Sequence, residues 1–250
     1  MVYKFEIHPI FSKLEKSLIT IKELFTANGT TIHKARNELK IIEVEGIKTV
    51  IKAFKVPNII NQFAYAYVRK SKAYKSFHNA TKLHNLGINT PEPIAYIEFY
   101  KSTLLQESFF ISRYYPYQLT MANVRDDNLK DKEAILKAFA KFTYEIHQKG
   151  VWHVDYSGGN ILINRKEKGY EFSLVDINRM RFQRVEGYNG LENFNRMWFD
   201  EASLSLIAKT YAQLANLNQT VAISKIITYD SKLKRHVLRR RKMKALFKGI

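Results

Sequence analysis

The chain contains no cysteine, so it forms no disulfide, offers no thiolate to a metal and has no cysteine nucleophile. It has no run of about eighteen apolar residues, the length that a membrane-spanning helix requires. The amino terminus also lacks the apolar core and small-residue cleavage site of a secretory signal. From these absences we expect a protein of the reducing cytoplasm.

Acidic residues are scarce beside basic ones, with 23 Asp and Glu against 41 Lys and Arg. The net charge of +18 and the pI near 9.8 imply a negatively charged partner, such as nucleic acid, anionic lipid or a phosphorylated glycolipid. The 250 residues are 46% hydrophobic and 13% aromatic. Such a composition excludes a disordered chain and allows one bilobal unit with a substantial core.

Residues 147–181 have the composition and order of a phosphoryl-transfer site. His153 precedes Asp155 by two positions, Asn160 follows, and two short apolar runs joined by a polar turn lead to Asp176. Transfer of a γ-phosphoryl group to a hydroxyl needs a carboxylate that orients the hydroxyl and takes its proton, and Asp155 is placed for that role. Asn160 and Asp176 provide the hard oxygen ligands that Mg²⁺ prefers. A hairpin between them would return the chain to its starting point.

The order His-x-Asp-x-x-x-x-Asn, apolar hairpin, Asp resembles the catalytic loop and metal-binding acid of the protein-kinase-like superfamily. More narrowly, Val-Asp-Ile-Asn-Arg-Met-Arg-Phe at 175–182 and Thr-Pro-Glu-Pro-Ile-Ala-Tyr at 90–96 resemble the lipopolysaccharide kinase family, whose members phosphorylate Kdo or heptose of the inner core. The similarity covers residues 29–182. It implies an α+β, protein-kinase-like bilobal fold, with ATP and Mg²⁺ as cofactors. We expect an antiparallel-sheet N-lobe over 1–115 and a mainly helical C-lobe over 116–250.

Alternating apolar and polar residues predict strands at 31–33, 39–44 and 48–54, followed by a helix at 62–85. Lys52 lies on the third strand and matches the lysine that pairs with the α- and β-phosphates of ATP in kinases. The alternative is a solvated lysine on an amphipathic strand. Its place in the third strand, well ahead of the catalytic loop, favours the nucleotide ligand.

The predicted helix lacks a residue that kinases normally have. A helix glutamate usually pairs with the strand lysine, but no Asp or Glu occurs between Gly46 and Pro91. His78 or Ser76 lies about where that glutamate is expected. Lys52 is therefore anchored either by a carboxylate from elsewhere, such as Glu43, or by the phosphates alone.

The turn at 35–37 is the candidate phosphate-covering loop. The family resemblance suggests Gly-Arg-Asn at this point, and Ala35 replaces the glycine. Arg36 and Asn37 remain as candidate nucleotide ligands, since a guanidinium fork and tight-turn amides both suit phosphate. A plain hairpin turn is the alternative interpretation.

Downstream absences bear on the class of acceptor. No proline follows Pro116, so the Ala-Pro-Glu segment of protein kinases is missing, and residues 174–202 contain no Ser or Thr to serve as a phosphorylation switch. Both absences favour a small-molecule or glycolipid kinase over a regulated protein kinase. Arg179, Arg181 and Arg184 are candidates for holding an acidic sugar or a phosphate, and simple solvation is the alternative.

The carboxyl-terminal segment, 231–250, contains nine Lys or Arg residues, no acid and several apolar side chains. It suits the anionic face of a bilayer, where each positive charge is worth about 1 kcal/mol. Nucleic acid is the rival target, and a disordered end is the third interpretation. We expect a peripheral protein at the inner face of the cytoplasmic membrane that acts on a lipopolysaccharide precursor or another anionic sugar.

Three other functions stay open on the sequence. The catalytic loop also reads His-x-Asp-x-x-x-Gly-Asn, which resembles the loop of the soluble aminoglycoside and choline kinases. The missing helix acid and the poor glycine loop fit a catalytically weak kinase-like binding module. The high positive charge allows a nucleic-acid-binding role.

Overall fold

The computed structural model of the chain describes residues 2–35, 37–54 and 69–246. The chain forms two compact units, the first comprising Met1–Pro116 with Asp176–Arg179 and the second comprising Tyr117–Val175 with Met180–Ile250. An antiparallel sheet dominates the first unit, while long helices dominate the second. The α+β, kinase-like fold class predicted from the sequence is confirmed. The assignment of 1–115 to nucleotide covering and 116–250 to catalysis stays a prediction.

The first unit is built on six antiparallel strands in the spatial order β1-β5-β6-β4-β3-β2. The strands are β1 (Val2–Ile7), β2 (Thr30–Lys34), β3 (Asn37–Val44), β4 (Ile47–Phe54), β5 (Pro93–Lys101) and β6 (Leu104–Arg113). The turn between β3 and β4 has positive φ at both Glu45 and Gly46, as the twist of a two-residue hairpin requires. The three strands predicted at 31–33, 39–44 and 48–54, the last of which contains Lys52, are confirmed as β2, β3 and β4.

Helices cover both faces of this sheet. A 3-10 helix (Pro9–Leu14), α1 (Glu15–Ile19) and α2 (Ile21–Ala27) pack on one face, and α3 (Lys72–Asn85) packs on the other. Because successive strand residues point to opposite faces, Ile51 faces the amino-terminal helices while Phe54 faces α3. Lys52 shares the face of Phe54, and its Nζ lies 5.4 Å from that ring centroid.

The start of α3 differs from the sequence prediction of a helix at 62–85. Residues 62–68 lie outside the described residues, and 69–71 are not helical. The helix begins at Lys72, because the Ser71 hydroxyl accepts a hydrogen bond from the Tyr74 N–H at 3.0 Å and caps the first turn. The predicted end at residue 85 is confirmed.

The second unit is organised around three helices and short strands. The helices are α4 (Lys132–Gln148), α5 (Glu201–Leu214) and α6 (Gln219–Leu246). The strands are β7 (Leu119–Thr120), β8 (Val151–His153), β9 (Ile161–Lys166), β10 (Gly169–Leu174) and β11 (Met180–Phe182). The hairpin predicted between Asn160 and Asp176 is confirmed as β9 and β10, which pair in an antiparallel register.

The buried face of α4 differs slightly from the one that the i, i+3, i+4, i+7 and i+11 spacing of Ile135, Ala138, Phe139, Phe142 and Ile146 predicts. Ile135, Phe139 and Ile146 are buried, but Ala138 and Phe142 are only half-buried. Leu136, Ala140, Thr143 and His147 complete the buried stripe instead. Polar members of the stripe are accommodated because their hydrogen bonds are made inside the core.

Helix α6 includes residues 231–246 of the basic carboxyl-terminal segment. It is anchored by buried Ala222 and Ile226, and by Lys234, which donates to the Phe199 carbonyl at 3.3 Å while pairing with the buried Asp230 one turn earlier in the same helix. Over the residues that the structure describes, no helix is both long enough and apolar enough to cross a bilayer.

Candidate active site

The catalytic loop begins at the end of β8 and is held by a histidine. His153 is fully buried. Its Nδ1 accepts a hydrogen bond from the Asp155 backbone N–H at 3.1 Å, and its Nε2 lies 3.0 Å from the Val175 carbonyl oxygen. These roles require a neutral ring with the proton on Nε2. Through these contacts His153 braces the loop.

Asn160 closes the loop that Asp155 opens. The Asn160 side-chain amide donates to the Asp155 carbonyl at 2.9 Å, which directs the amide oxygen away from that contact. The Asn160 carbonyl accepts from the Val175 N–H at 2.9 Å, at the end of the β9–β10 hairpin. The structure thus brings Asp155 and Asn160 together, and Asp176 is the residue after Val175 in the chain.

Within the first unit, Lys52 and Asp176 form an ion pair although 124 positions separate them. The Lys52 side chain is 13% exposed and that of Asp176 is 31% exposed, so the pair is partly shielded from solvent. Asn178 donates to the same carboxylate oxygen, Asp176 Oδ1, at 2.7 Å. Asp176 has φ of 55°, a backbone conformation that costs energy for a residue other than glycine and concentrates at functional sites.

Helix α3 contains no acidic residue that could take the place of the missing glutamate. His78 pairs with Glu6 on β1 at 3.3 Å, and the Ser76 hydroxyl donates to the Lys72 carbonyl. Neither contacts Lys52. Helix α3 contacts the segment that follows Asp176 through Asn79, whose side-chain amide donates to the Ile177 carbonyl at 2.7 Å.

Glu43, the acid suggested from elsewhere in the chain, does not anchor Lys52. In the β3–β4 register Glu43 is opposite Lys48, whereas Leu39 is opposite Lys52. Four residues along a strand amount to about 13 Å. Asp176 is the carboxylate that holds the lysine, and the sequence analysis missed this pairing because it treated Asp176 only as a metal ligand.

The proposed phosphate-covering turn is described only in part. Arg36 lies outside the described residues. Asn37 opens β3, its carbonyl accepts from the Ala35 N–H at 3.1 Å, and its side-chain oxygen Oδ1 is buried without a hydrogen-bond partner among the described residues. A buried amide oxygen accepts hydrogen bonds, so a hydroxyl, an amino group or water could satisfy it, whereas a phosphate oxygen could not. The role of Asn37 as a nucleotide ligand stays a prediction.

A ten-residue 3-10 helix, Gly187–Arg196, supplies functional residues that the sequence analysis missed. Residues three apart lie above one another on a 3-10 helix, so such a segment presents three separate rows of side chains. The first row, Leu191 and Phe194 with Met197 just beyond, is fully buried and fixes the segment to the core.

The second row reaches the catalytic loop. Asn193 accepts from His147 Nε2 at 3.0 Å and donates to the His153 carbonyl at 2.9 Å. His147 Nδ1 lies 2.9 Å from the Tyr211 hydroxyl. Burial lowers the pKa of His147 to about 4, against a smaller opposing effect of its hydrogen bond to Asn193. A neutral His147 therefore joins α4 to the backbone of the catalytic loop.

Arg196 ends the same row, and its Nη1 lies 3.6 Å from Asp155 Oδ1. At 47% and 36% exposure, the two side chains are accessible to a ligand. The pair orients the Asp155 carboxylate without withdrawing it from solvent. The i, i+3 spacing of Leu191, Phe194 and Met197 in the first row is the sequence signal that could have located this 3-10 helix, and with it Asn193 and Arg196.

The third row faces a polar cavity of about 430 Å³. Asn189, Glu192 and Asn195 line it, together with Arg196 and two members of the predicted basic trio, Arg181 and Arg184. Arg184 also pairs with Glu186. Arg179, the third member, belongs to the first unit and does not line this cavity. The volume lies within the range of small-ligand sites.

Asn160 and Asp176, the predicted metal ligands, lie in different units. The described residues contain no group of three or more His, Asp and Glu side chains that could hold an ion alone. Asn160 offers an amide oxygen and Asp176 a carboxylate oxygen. Mg²⁺ is typically bound by one or two such ligands together with substrate phosphates and water, so each residue by itself is of a type that fits that ion.

The architecture of the two units is that of the protein-kinase-like superfamily. A model of the lipopolysaccharide kinase (Kdo/WaaP) family matches residues 55–220, about two thirds of the chain. The chain belongs to the lipopolysaccharide kinase (Kdo/WaaP) family. The match includes Asp155, Asn160, Asp176 and the 3-10 helix, whereas Lys52 lies upstream of it.

Individual relatives are distant. The chain is 22% identical over 141 residues to the 3-deoxy-D-manno-octulosonic acid kinase of Pasteurella multocida (strain Pm70), an alignment that covers 54% of this chain. It spans 55%, about half, of the length of that relative.

Solved structures resemble the chain over nearly its whole length. WaaP, determined in complex with acyl carrier protein, superposes with a TM-score of 0.64 at 14% identity, covering 94% of this chain and 98% of WaaP. An aminoglycoside-3'-phosphotransferase of type VIII gives 0.54 at 9% identity, covering 89% and 100%. At these identities the likeness shows the fold alone.

Proposed function

We propose that this protein transfers the γ-phosphoryl group of ATP to a hydroxyl of Kdo or heptose in the lipopolysaccharide inner core. Family membership supports the reaction class, and the name of the Pasteurella relative favours a Kdo acceptor. The observation that carries the proposal is the braced Asp155, which is partly exposed beside a polar, arginine-lined cavity.

Asp155 is the proposed catalytic base. Its backbone is fixed on both sides, by the N–H bond to His153 and by the carbonyl bond from Asn160. A carboxylate held in this way accepts a hydrogen bond from the acceptor hydroxyl and takes its proton as the bond to phosphorus forms. Arg196 limits the directions in which the carboxylate can turn.

Lys52 and Asp176 are proposed to bind the phosphates and the metal. The Lys52 ammonium carries the charge that the α- and β-phosphates require, and its pairing with Asp176 keeps it oriented on the α3 face of the sheet. Asn160 and Asp176 would hold Mg²⁺, which neutralises the charge of the β- and γ-phosphate oxygens when it is bound. Asn37 is a further candidate for the nucleotide.

An acceptor panel tests the proposal. Purified protein is incubated with radiolabelled ATP and Kdo-lipid A, a heptose-containing core oligosaccharide, or kanamycin. Transfer to the Kdo or heptose acceptor is expected, and the label should be lost on phosphatase treatment. Transfer to kanamycin alone would favour a soluble aminoglycoside-type kinase. ATP binding with no transfer to any hydroxyl would instead make the chain a kinase-like binding module.

We propose in addition that the far end of α6 contacts an anionic membrane surface. Arg240, Arg241 and Lys242 are exposed and, as consecutive helical residues, point in three directions, so the end of the helix is basic all round. The exposed apolar residues Leu238 and Met243 do not share one face. This pattern supports electrostatic adsorption rather than insertion of an apolar stripe.

Vesicle co-sedimentation tests the membrane contact. Neutralising Arg240, Arg241 and Lys242 together, each to Gln, should weaken binding to phosphatidylglycerol vesicles by about 100-fold, since each charge contributes about 1 kcal/mol. Binding should also fall steeply with salt. Unchanged vesicle binding with lost retention on RNA would identify nucleic acid as the partner of this end.

A further inference from the structure

A second cavity adjoins the one beside Asp155. It has a volume of about 470 Å³ and lies between the 3-10 helix Gly187–Arg196 and α6. Glu192 and Asn195 line both cavities, so the two are neighbours along the 3-10 helix. A ligand long enough to pass over these two side chains can therefore occupy both.

One face of α6 gives the second cavity its charge. Lys232, Arg235 and Arg239 line it at the i, i+3 and i+7 positions, which share a side of an α-helix. All three are exposed, and in the part of the chain that the structure describes none of them forms an ion pair with a carboxylate. Arg235 makes only a 3.3 Å bond to the Ser231 carbonyl. Their donors are available to an anion.

The charges are arranged in a sequence along the two cavities. The first cavity, beside Asp155, has Arg181, Arg196 and Arg184, the last paired with Glu186, and the α6 end has Lys232, Arg235 and Arg239. Between them Glu192 places a negative charge at the junction, where Asn195 offers an amide. An anionic group fits either end but is repelled from the junction, while sugar hydroxyls can donate to Glu192 and exchange hydrogen bonds with Asn195.

We propose that this second cavity is a phosphate subsite for the acceptor: Lys232, Arg235 and Arg239 bind a phosphate monoester carried by the acceptor glycan, separated from the reacting sugar by an uncharged, hydroxylated stretch over Glu192 and Asn195. The inference rests on the proposed function, because an acceptor hydroxyl that reaches Asp155 would place the reacting sugar in the first cavity beside it. Arginine and lysine clusters suit phosphate through multiple charge-assisted hydrogen bonds. These three residues would determine which acceptor binds and would not take part in the transfer, because the phosphate that they bind is remote from the transferred phosphoryl group.

Direct binding of soluble glycans, measured calorimetrically without ATP, tests the subsite. One probe is deacylated Kdo-lipid A, a Kdo-bearing glucosamine disaccharide with two phosphates, and the other is the same glycan after phosphatase treatment. The wild-type protein should bind the phosphorylated probe about 30-fold more tightly, because three exposed ion pairs contribute roughly this much together. In the cavity variant, with Lys232, Arg235 and Arg239 each changed to Gln, the preference should fall to about twofold.

The matched control is the Arg240, Arg241 and Lys242 to Gln variant, which loses the same charge from the same helix outside the cavity. It should keep the 30-fold preference while losing vesicle binding, a combination that separates a glycan phosphate from a lipid headgroup. Equal loss of preference in both variants would overturn the proposal, since general surface charge would then explain it. Failure of the wild-type protein to distinguish the probes would also overturn it.

Glu192→Gln gives an independent readout. Removing the carboxylate at the junction should strengthen binding of the phosphorylated probe about threefold and leave the dephosphorylated probe nearly unchanged. Weaker binding of both probes would show that Glu192 does not act by repelling anions at this junction and would overturn the arrangement. Because none of these measurements involves ATP, a protein that binds as predicted but transfers no phosphate would refute the proposed function and leave the subsite intact.

Discussion

His147 provides the sharpest test of how the catalytic loop is held. The folded protein keeps this histidine neutral, because burial lowers its pKa from 6.5 to about 4. As pH falls below 6.5, His147 is protonated in the unfolded chain but stays neutral in the folded chain, which favours unfolding. The stability that the protein has with a neutral His147 is therefore fully present above pH 6.5 and is lost progressively between pH 6.5 and 4. A difference of 2.5 between the two values corresponds to about 3 kcal/mol of unfolding free energy.

The variant His147→Gln isolates this effect. A glutamine amide can still donate to Asn193 and accept from Tyr211, but it does not titrate. We expect it to cost about 1 to 2 kcal/mol at pH 7.5, since the ring stack on Trp152 is lost. At pH 4 the variant should equal or exceed the wild-type protein in stability. The free-energy difference between the two should change by about 3 kcal/mol across this range.

Urea unfolding followed by tryptophan fluorescence measures both proteins at half-unit pH steps. His84→Gln, a change of an exposed histidine on α3, is the matched control and should reproduce the wild-type pH dependence. Other titrating groups, such as Asp131, whose pKa is held near 2 chiefly by Arg165, are common to all three proteins and cancel in the differences. Parallel pH curves for wild-type and His147→Gln would refute the neutral, buried histidine.

Two further predictions concern the catalytic loop and the nucleotide. A Cβ at Gly158 would lie 2.8 Å from the Ala122 backbone nitrogen, whereas a Cβ at Gly159 meets nothing within 4 Å. Chemical unfolding should show Gly158→Ala destabilised by about 2 kcal/mol and Gly159→Ala changed by less than about 1 kcal/mol; equal effects would contradict the packing. Lys52→Met removes the ammonium group that contacts Asp176 and should weaken ATP binding about 30-fold in a fluorescent-nucleotide titration, and undiminished binding would refute its role.

Much of the site could be predicted because its signals are local. His153, Asp155, Asn160 and Asp176 fall within a single stretch in which loop, hairpin and acid follow in order, and the β9–β10 hairpin is as expected. Lys52 could be placed because strand alternation and the turn at Gly46 define the third strand. Local periodicity and turn chemistry are the signals that a single sequence carries most clearly.

The remaining contacts depend on residues far apart in the chain. Lys52 pairs with Asp176 across 124 positions, and Asn193 reaches His153 across 40. Nothing in the local pattern of either residue identifies its partner. The missed helix start had a local signal, since Ser71 is a good N-cap residue, but continuous apolar spacing upstream outweighed it. The rows of the 3-10 helix repeat every three residues, and over ten residues this period is hard to distinguish from the 3.6-residue period of an α-helix.

The central claim is that Asp155 acts on the acceptor hydroxyl. Its most direct test is the single-turnover rate of phosphoryl transfer from ATP to Kdo-lipid A in the wild-type protein, in Asp155→Asn and in Glu167→Gln, which removes an exposed carboxylate from the β9–β10 turn. Asp155→Asn should lower the rate by about 100- to 10,000-fold with ATP affinity retained, while Glu167→Gln should match the wild type. Transfer by Asp155→Asn at the wild-type rate would contradict the account.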